Sequence, residues 1–180
     1  MKELFEKRIE NFKNLASLEK EISIAVNLIT SSLKSGNKLL FCGNGGSASD
    51  SNHLSAEFIS KFKKERKSLP AISLSANNSI ITAIGNDFGF ENVFKRQIEG
   101  LGQEGDILIA ITTSGKSKNV KEAVKRAKEL NIKTILLTGK NKTNLKCDIE
   151  INVPSDVTAE IQEMHITIGH IICEAVENNF

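Results

Sequence analysis

Hydrophobic positions along this chain follow two alternating patterns. Short and nearly continuous apolar runs recur at intervals, and between them apolar residues return every three or four positions. A short apolar run bounded by turn residues is typical of a buried strand, whereas the three-to-four spacing is typical of an amphipathic helix. The runs predict five strands, at residues 38–42, 70–74, 106–111, 133–137 and 148–153. Since strands and helices alternate, the pattern favours an α/β fold in which a parallel five-stranded sheet is flanked by helices on both faces.

A helical stripe precedes the first strand. Apolar residues from Leu4 to Leu33 keep close to a period of 3.6 residues, which predicts a long N-terminal helix. Such a helix either packs on a second subunit as well as on its own sheet, or simply covers that sheet. No internal repeat, low-complexity tract or linker divides the chain, so we expect a single domain over residues 1–180.

The remaining helices are predicted from spacing and from their ends. Helical patterns run over residues 48–62, 80–84, 91–101, 120–130 and 158–178. Asn77 and its polar neighbours are expected to cap the second of these helices, and the glycine-containing stretch 85–89 is expected to end it. Asp156 or Thr158 is expected to cap the last helix.

Composition narrows the classes of partner. The 180 residues include 24 basic and 22 acidic side chains, for a formal net charge of +2. This balance gives no reason to expect a nucleic-acid or a membrane partner, and the absence of Trp and Tyr leaves few aromatic platforms for single strands. One basic cluster is interpreted as a solvated helix end: Lys61, Lys63, Lys64, Arg66 and Lys67.

The cysteines and the N-terminus indicate where in the cell the protein is located. Cys42, Cys147 and Cys173 are odd in number, and their spacings suit neither a disulfide framework nor a zinc ribbon, which favours a reducing cytosol. The charged start of the chain lacks a signal-peptide core, and no apolar run approaches the ~20 residues of a membrane-spanning helix. We therefore expect a cytoplasmic protein with no membrane association.

Two polar turns follow two of the predicted strands. The first turn, residues 43–50, is rich in glycine and opens a helix, where free backbone N–H groups and the partial positive charge of the helix end favour anions. The second turn, residues 112–117, offers four hydroxyls, a glycine and an amine before another helix. Because ligands collect at the carboxyl edge of a parallel sheet, we expect both turns to face one ligand.

Nucleotide signatures are incomplete in both turns. Gly43, Gly45 and Ala48 satisfy the dinucleotide pattern G-x-G-x-x-[GA], but the next strand ends without a carboxylate to hold a ribose hydroxyl. Residues 115–117 resemble the end of a Walker A loop, but Ala110 stands where the first glycine of that loop is required. Turns that only cap helices would explain one hydroxyl per loop rather than four. The set therefore suits a small phosphate monoester.

Titratable side chains lie downstream of the first turn and in the last helix. His53 and Glu57 are four residues apart and share one face of a helix, while Gln162 and His170 lie roughly on one face of the last helix. Imidazoles and a carboxylate beside a phosphate site suit proton transfer, and the same donors suit a divalent metal such as zinc. The alternative for His53 and Glu57 is a surface pair, and His165 is interpreted as structural.

Five segments together resemble a known family. They are Gly43-Asn44-Gly45-Gly46-Ser47, His53-x-x-x-Glu57, Ala83 to Gly89, Thr113-Ser114-Gly115-x-Ser117-x-Asn119-Val120 and Ile161 to His165. In order, and over nearly the whole chain, they resemble the phosphoheptose isomerases of the sugar isomerase (SIS) superfamily. The resemblance implies a single SIS domain with a flavodoxin-like three-layer αβα fold and a long N-terminal helix used in oligomerisation. It also implies a cytoplasmic homotetramer with active sites between subunits.

The resemblance also implies a reaction and a set of site residues. The family interconverts sedoheptulose 7-phosphate and D-glycero-D-manno-heptose 7-phosphate, for bacterial surface polysaccharides such as lipopolysaccharide or capsule. By the same resemblance Glu57 is the base and His170 the acid of an isomerisation through an enediol. The implied ligands of one zinc ion per site are His53, Glu57, Gln162 and His170. The implied substrate-binding residues are Asn44, Gly45, Gly46, Ser47, Asn86, Asp87, Thr112, Thr113, Ser114, Ser117 and Gln162. Glu160 departs from the family, which commonly has a basic residue at this position.

A second function stays open beside the enzyme. Non-catalytic relatives on the same scaffold bind a sugar phosphate or a protein partner such as a replication initiator. Such relatives resemble this chain in the glycine turn but lack the acid–base pair, whereas Glu57 and His170 are both present here. The pair therefore favours an aldose–ketose isomerase.

Overall fold

A five-stranded parallel sheet forms the centre of the protein in a computed structural model that describes residues 1–180. Its strands are β1 (Leu39–Gly43), β2 (Ala71–Ser73), β3 (Ile107–Ile111), β4 (Lys133–Thr138) and β5 (Ile149–Asn152). They lie side by side in the order β2-β1-β3-β4-β5, and every neighbouring pair is parallel. The five strands and the parallel sheet predicted from the apolar runs are confirmed.

Seven α-helices surround the sheet. They are α1 (Lys2–Asn14), α2 (Glu19–Lys34), α3 (Gly46–Ile59), α4 (Asn78–Phe88), α5 (Lys95–Leu101), α6 (Lys118–Glu129) and α7 (Thr158–Glu177). Short 3₁₀ turns at Leu15–Leu18 and Phe90–Asn92 precede α2 and α5. None of these helices has the combination of length and hydrophobicity that a membrane span requires.

The hydrophobic core has two halves, one on each face of the sheet. Side chains alternate between faces along each strand, so Phe41 and Leu40 point in opposite directions. Phe41 belongs to the half covered by α2, α3 and α7, and Leu40 belongs to the half covered by α5 and α6. Because the central strands are buried on both faces, their sequences are continuous apolar runs rather than alternating ones. The three-layer αβα arrangement predicted above is therefore what the structure shows.

The N-terminal helix differs from its prediction. The stripe from Leu4 to Leu33 is two helices separated by the 3₁₀ turn at Leu15–Leu18, and no residue of α1 is buried. Leu4, Phe5 and Ile9 are all more than half exposed. Of the two interpretations, covering the protein's own sheet therefore applies to α2 but not to α1, whose side chains Leu4, Phe5 and Ile9 stay largely exposed.

Glu160 connects α1 to the start of α7. Its buried carboxylate accepts hydrogen bonds from the Lys7 ammonium at 2.6 Å, from the Asn11 amide at 3.1 Å and from the Ser155 hydroxyl at 2.8 Å. These bonds, that of Lys7 foremost, lower the pKa of Glu160 to about 2. Glu160 thus holds α1 against α7.

Two predicted helix boundaries are wrong. α4 continues through Gly85 to Phe88, four residues past its predicted end at residue 84, and the chain leaves the helix at Gly89, where φ is +86°. Neither Asp156 nor Thr158 caps α7, because the N-cap residue is Val157. The Asp156 carboxylate instead pairs with Lys140. The predicted cap of α4 is confirmed, since the Asn77 side chain accepts a hydrogen bond from the Ile80 N–H at 3.1 Å.

Candidate active site

The first turn joins β1 to α3 through three glycines. Gly45 is the N-cap residue of α3 and has φ of +55°, a backbone conformation that residues other than glycine rarely adopt. A Cβ atom on Gly43 would lie 2.6 Å from the Ser47 carbonyl oxygen, so the chain there has no room for a side chain. The turn therefore brings the positive N-terminal end of α3 to the carboxyl edge of the sheet, although the N–H groups of Ser47 and Ala48 already donate to the carbonyl oxygens of Asn44 and Gly45.

Side-chain hydrogen bonds fix the first turn to its neighbours. The Ser75 hydroxyl donates to the Gly43 carbonyl at 2.9 Å and accepts from the Gly43 N–H at 3.2 Å. The side-chain amides of Asn44 and Asn119 form a reciprocal pair, with both N–O distances 2.8 Å. Asn119 lies in the first turn of α6, immediately after the second polar turn. The two polar turns are therefore neighbours, as the parallel sheet predicts.

The second turn presents its hydroxyls beside two clefts. The hydroxyls of Thr112 and Ser117 lie 3.4 Å apart, and the Ser114 hydroxyl accepts from the Lys116 N–H at 3.2 Å. A cleft of about 180 Å³ is lined by Thr113, Ser114, Lys116 and the loops after β4 and β5. A second cleft of about 340 Å³ is lined by Asn44, Phe90, Glu91, Ser117, Lys118 and Asn119. Hydroxyl and backbone donors thus line both sides of the start of α6, where an anion is favoured.

Two imidazoles meet between α3 and α7. His53 Nε2 lies 2.9 Å from His170 Nε2, and the ring centroids are 5.1 Å apart in an edge-to-face arrangement. Glu57 Oε1 lies 3.5 Å from His53 Nε2. Burial, followed by the charge of His53, lowers the pKa of His170, while Glu57 acts in the opposite direction. His170 is therefore neutral near pH 7, with one nitrogen that donates a proton and one that accepts.

Gln162 of α7 faces α3 at a different point along the helix from His170. Its side-chain amide covers Gly46, because a Cβ atom on Gly46 would lie 2.2 Å from Gln162 Nε2. Eight residues of helix separate Gln162 from His170, which is about 12 Å along the axis. Gln162 thus lies beside the first turn, whereas His170 lies beside His53 and Glu57.

The imidazole pair meets some but not all of the requirements of a zinc site. Tetrahedral zinc with bonds of 2.0–2.1 Å to nitrogen would hold two imidazole nitrogens about 3.3 Å apart, slightly more than the 2.9 Å observed. His53, His170 and Glu57 therefore suit zinc in chemistry and in proximity, but they do not form a complete site, since no three His, Cys, Asp or Glu side chains are arranged to hold a metal. Gln162, as it lies against Gly46, is not part of this group.

Asn86 and Asp87 lie apart from these residues. They occupy the last turn of α4, where the Asn86 amide donates to the Asp87 carboxylate at 2.8 Å. Both side chains are exposed, and neither is hydrogen-bonded to either polar turn within this subunit. Their assignment to the substrate site stays a prediction.

One candidate residue that the sequence reasoning missed is Asp50. It lies in α3 between the first turn and His53, and its Oδ2 atom is buried without a hydrogen-bond partner. Burial raises the pKa of Asp50 to about 6, and the nearby His53 acts against this rise. The sequence could have identified Asp50 as a candidate by its spacing, because Asp50, His53 and Glu57 at i, i+3 and i+7 lie on one face of a helix.

The basic cluster after α3 is not simply a solvated helix end. The Arg66 side chain is only 4% exposed, and its Nε lies 3.1 Å from the buried Glu177 carboxylate. Arg66 also donates to the carbonyl oxygens of Glu57 and Phe58, each at 2.9 Å. The Phe62 ring in the same segment lies 5.3 Å from the His170 ring, centroid to centroid. The interpretation as a solvated end is therefore wrong for Arg66, which fixes the C-terminal end of the helix that carries His53 and Glu57.

The buried imidazole of His165 should make the free energy of unfolding depend on pH. Burial lowers the pKa of His165 to about 4, and a backbone interaction with Thr138 opposes the change only in part. Because the unfolded chain takes up this proton near pH 6.5, the free energy of unfolding should fall as the pH drops from 7 to 4.5, by about 2–3 kcal/mol from His165 alone. Urea unfolding at the two pH values should show a smaller acid loss for His165→Gln than for the unmodified protein. Equal acid losses in the two proteins would contradict this assignment.

Gly46 gives a prediction about Gln162. An alanine at position 46 would force the Gln162 amide away from the first turn, and because that amide is the end of a flexible side chain the fold should survive. We expect Gly46→Ala to lower kcat/KM about tenfold, the order of one lost hydrogen bond, with little change in thermal stability. Gly100→Ala is the control, because a Cβ atom there meets no atom within 4 Å. Equal kcat/KM values for both variants would remove Gln162 from the site.

The chain is similar to known proteins in both sequence and structure. A family model described as the SIS domain matches residues 5–139. The phosphoheptose isomerase of Nitratiruptor sp. is 51% identical over 181 residues, which is 99% of this chain and 97% of that protein. The phosphoheptose isomerase of Akkermansia muciniphila is 47% identical over 170 residues, 93% of this chain and 90% of that protein. The solved structure of a phosphoheptose isomerase from Francisella tularensis superposes with a TM-score of 0.93 at 39% identity, covering 98% of this chain and 96% of the other.

Proposed function

Because this chain belongs to the SIS domain family and, within it, to the phosphoheptose isomerases, we propose that it interconverts sedoheptulose 7-phosphate and D-glycero-D-manno-heptose 7-phosphate. Phosphoheptose isomerases are aldose–ketose isomerases. The observation that carries the proposal is the contact between His53 and His170 with Glu57 beside it. A protein that only binds a sugar phosphate has no need of two imidazoles and a carboxylate next to its anion site.

Glu57 is suited to move the proton between carbon atoms. Converting a ketose to an aldose takes a proton from C1 and returns it to C2, through an enediol that both sugars share. A carboxylate on a helix face beside the sugar can accept the proton from C1 and deliver the same proton to C2. Glu57 lies in the last turn of α3, and this end of the helix is fixed by the Arg66 bonds to the carbonyl oxygens of Glu57 and Phe58.

His170 is suited to move the proton between oxygen atoms. In the ring-opened sugar one proton must reach O2 as the carbonyl becomes an alcohol, and one must leave O1 as the new carbonyl forms. A neutral imidazole can do both in turn through a single ring nitrogen, by giving its proton to O2 and then taking the proton of O1. The lowered pKa of His170 keeps it in this neutral form near pH 7.

The phosphate is proposed to bind at the second turn. The hydroxyls of Thr112, Ser114 and Ser117 and the first N–H groups of α6 supply neutral donors, and Lys116 adds positive charge at the rim of the adjoining cleft. Anchoring the phosphate there would let the sugar chain run toward the first turn, since the Asn44–Asn119 pair joins the two turns directly. Ser47 and Thr113 then lie next to the sugar.

A zinc ion is proposed to bind at the imidazole pair. His53, His170 and Glu57 would hold it, and Gln162 would join only after leaving Gly46. When bound, zinc would act as a Lewis acid that polarises the sugar carbonyl. A carboxylate that binds a metal through one oxygen retains the other oxygen for the proton, so the ligand and base roles of Glu57 are compatible.

A homotetramer with active sites between subunits is proposed from the family resemblance. The exposed apolar side chains of α1 and the exposed positions of Asn86 and Asp87 support it, since none of these side chains is buried within one subunit. A cytoplasmic location and a role in surface polysaccharide synthesis are proposed on the same basis.

The direct test is turnover of the proposed substrate. Purified protein incubated with sedoheptulose 7-phosphate in D₂O should produce the aldose 7-phosphate, seen by NMR. Fructose 6-phosphate serves as the comparison substrate, because it has the same ketose head and a phosphate one carbon closer. No conversion of sedoheptulose 7-phosphate by metal-free and zinc-loaded protein would overturn the proposal.

A further inference from the structure

Glu160 is a buried carboxylate whose hydrogen bonds come from two separate parts of the chain. Its Oε1 accepts from the Lys7 ammonium at 2.6 Å and its Oε2 accepts from the Asn11 amide at 3.1 Å, and both donors belong to α1. The same Oε2 also accepts from the Ser155 hydroxyl at 2.8 Å, in the loop between β5 and α7. Glu160 is only 3% exposed and lines neither cleft at the second turn, so it acts there only through the residues that it holds.

Ser155 extends this connection to the cleft of about 180 Å³ that it lines together with the second turn. Its carbonyl oxygen accepts a hydrogen bond from the Lys140 N–H at 3.0 Å. The preceding residue, Gly139, donates its N–H to the carbonyl oxygen of Thr113 in the second turn at 3.2 Å. A Cβ atom on Gly139 would lie 2.9 Å from the Thr113 oxygen and 3.0 Å from the Ser155 oxygen. The loops after β4 and β5 and the second turn are therefore in close contact, and a shift of one displaces the others.

The cleft held in this way, here termed the phosphate cleft, carries charges that suit a phosphate. Two cationic side chains, Lys116 and Lys140, and one anionic side chain, Asp156, line it. Lys140 pairs with Asp156, but both side chains are at least half exposed, and such exposed pairs contribute little to stability. The backbone of Lys140, by contrast, is fixed by its bond to Ser155. The position from which the Lys140 ammonium reaches into the cleft therefore depends on Ser155.

We infer that Glu160 is a positioning residue for the phosphate cleft. It is held in place by α1, and it fixes Ser155 and thereby the backbone of residues 139–140. The inference rests on the proposed function in one respect, which is that the sugar phosphate binds at the second turn with its phosphate facing this cleft. α1 then contributes to substrate binding although none of its residues lines the cleft.

A second ion pair between the same two helices provides a matched control. The Nε of Arg8, next to Lys7 on α1, lies 3.3 Å from the Glu163 carboxylate of α7. Both side chains of this pair are partly exposed, and neither lines the phosphate cleft or is bonded to its loops. Lys7→Met and Arg8→Met therefore each remove one cation and one contact between α1 and α7, but only Lys7→Met weakens the connection to the cleft.

Amide hydrogen exchange of the full chain, resolved by NMR, tests this connection without a ligand. In Glu160→Ala we expect the Lys140 N–H to exchange about tenfold faster, the order of one lost hydrogen bond, because its acceptor Ser155 is no longer fixed. Ser155→Ala should have a similar effect, since it removes the same bond from the other side. Lys7→Met should accelerate the exchange about threefold, and Arg8→Met should leave it unchanged.

Phosphate affinity is the second measurement. In Glu160→Ala the Kd for inorganic phosphate, from the amide chemical shifts of the second turn, and the KM for sedoheptulose 7-phosphate should both rise about five- to tenfold. The value of kcat should stay within about twofold, because the phosphate is bound alike in the ground state and the transition state. A general loss of structure would lower kcat as well. Glu160→Gln, which retains one oxygen for the Ser155 hydroxyl, should recover most of the affinity, and Arg8→Met should match the unmodified protein.

The outcomes separate this inference from the proposed function. Unchanged exchange of the Lys140 N–H, or an unchanged Kd for inorganic phosphate, in Glu160→Ala would overturn the role of Glu160. Equal effects of Lys7→Met and Arg8→Met would overturn the contribution of α1. If Glu160→Ala does not fold, Ser155→Ala and Lys7→Met decide by the same criteria. A protein that shows the expected changes in phosphate binding but does not convert sedoheptulose 7-phosphate would overturn the proposed function and leave the inference standing.

Discussion

Replacing Glu57 by glutamine is expected to lower kcat by about two to four orders of magnitude. Glutamine has the same shape but cannot accept a proton from carbon, and a positioned general base is worth roughly 10²–10⁴ in rate. The substitution removes about 3–5 kcal/mol of transition-state stabilisation while leaving the helix and its neighbours in place. The measurement is kcat at saturating sedoheptulose 7-phosphate, followed by NMR, with circular dichroism to check the fold.

The control for this variant is Glu129→Gln, the same chemical change at an exposed position on α6. KM for the sugar phosphate should change little in Glu57→Gln, because we propose that the phosphate binds at the second turn rather than at Glu57. An unchanged kcat in Glu57→Gln would exclude this carboxylate from the proton transfer between carbons and leave His170 as the base to test next.

The sheet was predictable because its strands are buried on both faces. Such strands must be continuously apolar, and runs such as 106–111 differ clearly from the helical spacing around them. The helix ends were less predictable. Gly85 marks a break by its propensity, but the cost of one glycine in a helix is only about 1 kcal/mol, and the packing of Ile81 and Ile84 on the core exceeds it.

The site was predictable in its two turns and less so in its connections. The strand ends alone place both turns at one edge of the sheet. The pairing of Asn44 with Asn119, however, joins residues 75 positions apart, and the contact of His53 with His170 joins residues 117 positions apart. No local pattern encodes such contacts, so the second was expected only from the family resemblance and from a hypothesis about the last helix.

The burial of Glu177 was likewise not predictable from the sequence. It lies at the end of α7, where its charge suggests an ordinary solvent-exposed side chain, yet it is one of the least exposed carboxylates in the protein. Its Oε1 accepts from the Phe62 N–H at 2.9 Å, and its Oε2 accepts from the Lys63 and Lys64 N–H groups at 2.8 and 2.9 Å. Burial alone would raise the pKa of Glu177, but these three bonds and the nearby Arg66 lower it overall.

Glu177→Ala is therefore expected to lower the free energy of unfolding by about 3–5 kcal/mol, the usual cost of removing one partner from a buried ion pair. The Arg66 side chain would remain buried without its carboxylate, and three backbone N–H groups would lose their acceptor. Urea unfolding monitored by circular dichroism at pH 7 measures the loss.

The matched control is Glu174→Ala, one helical turn earlier on α7. Its carboxylate pairs with Lys63 at 2.8 Å, but both side chains are about half exposed, so the expected loss is below about 1 kcal/mol. Since the segment held by Glu177 also carries Phe62, which packs on the His170 ring, Glu177→Ala should in addition lower kcat whereas Glu174→Ala should not. Similar losses of stability in the two variants would mean that the backbone of residues 62–64 and Arg66 find water instead, and that the segment is held by its hydrophobic contacts.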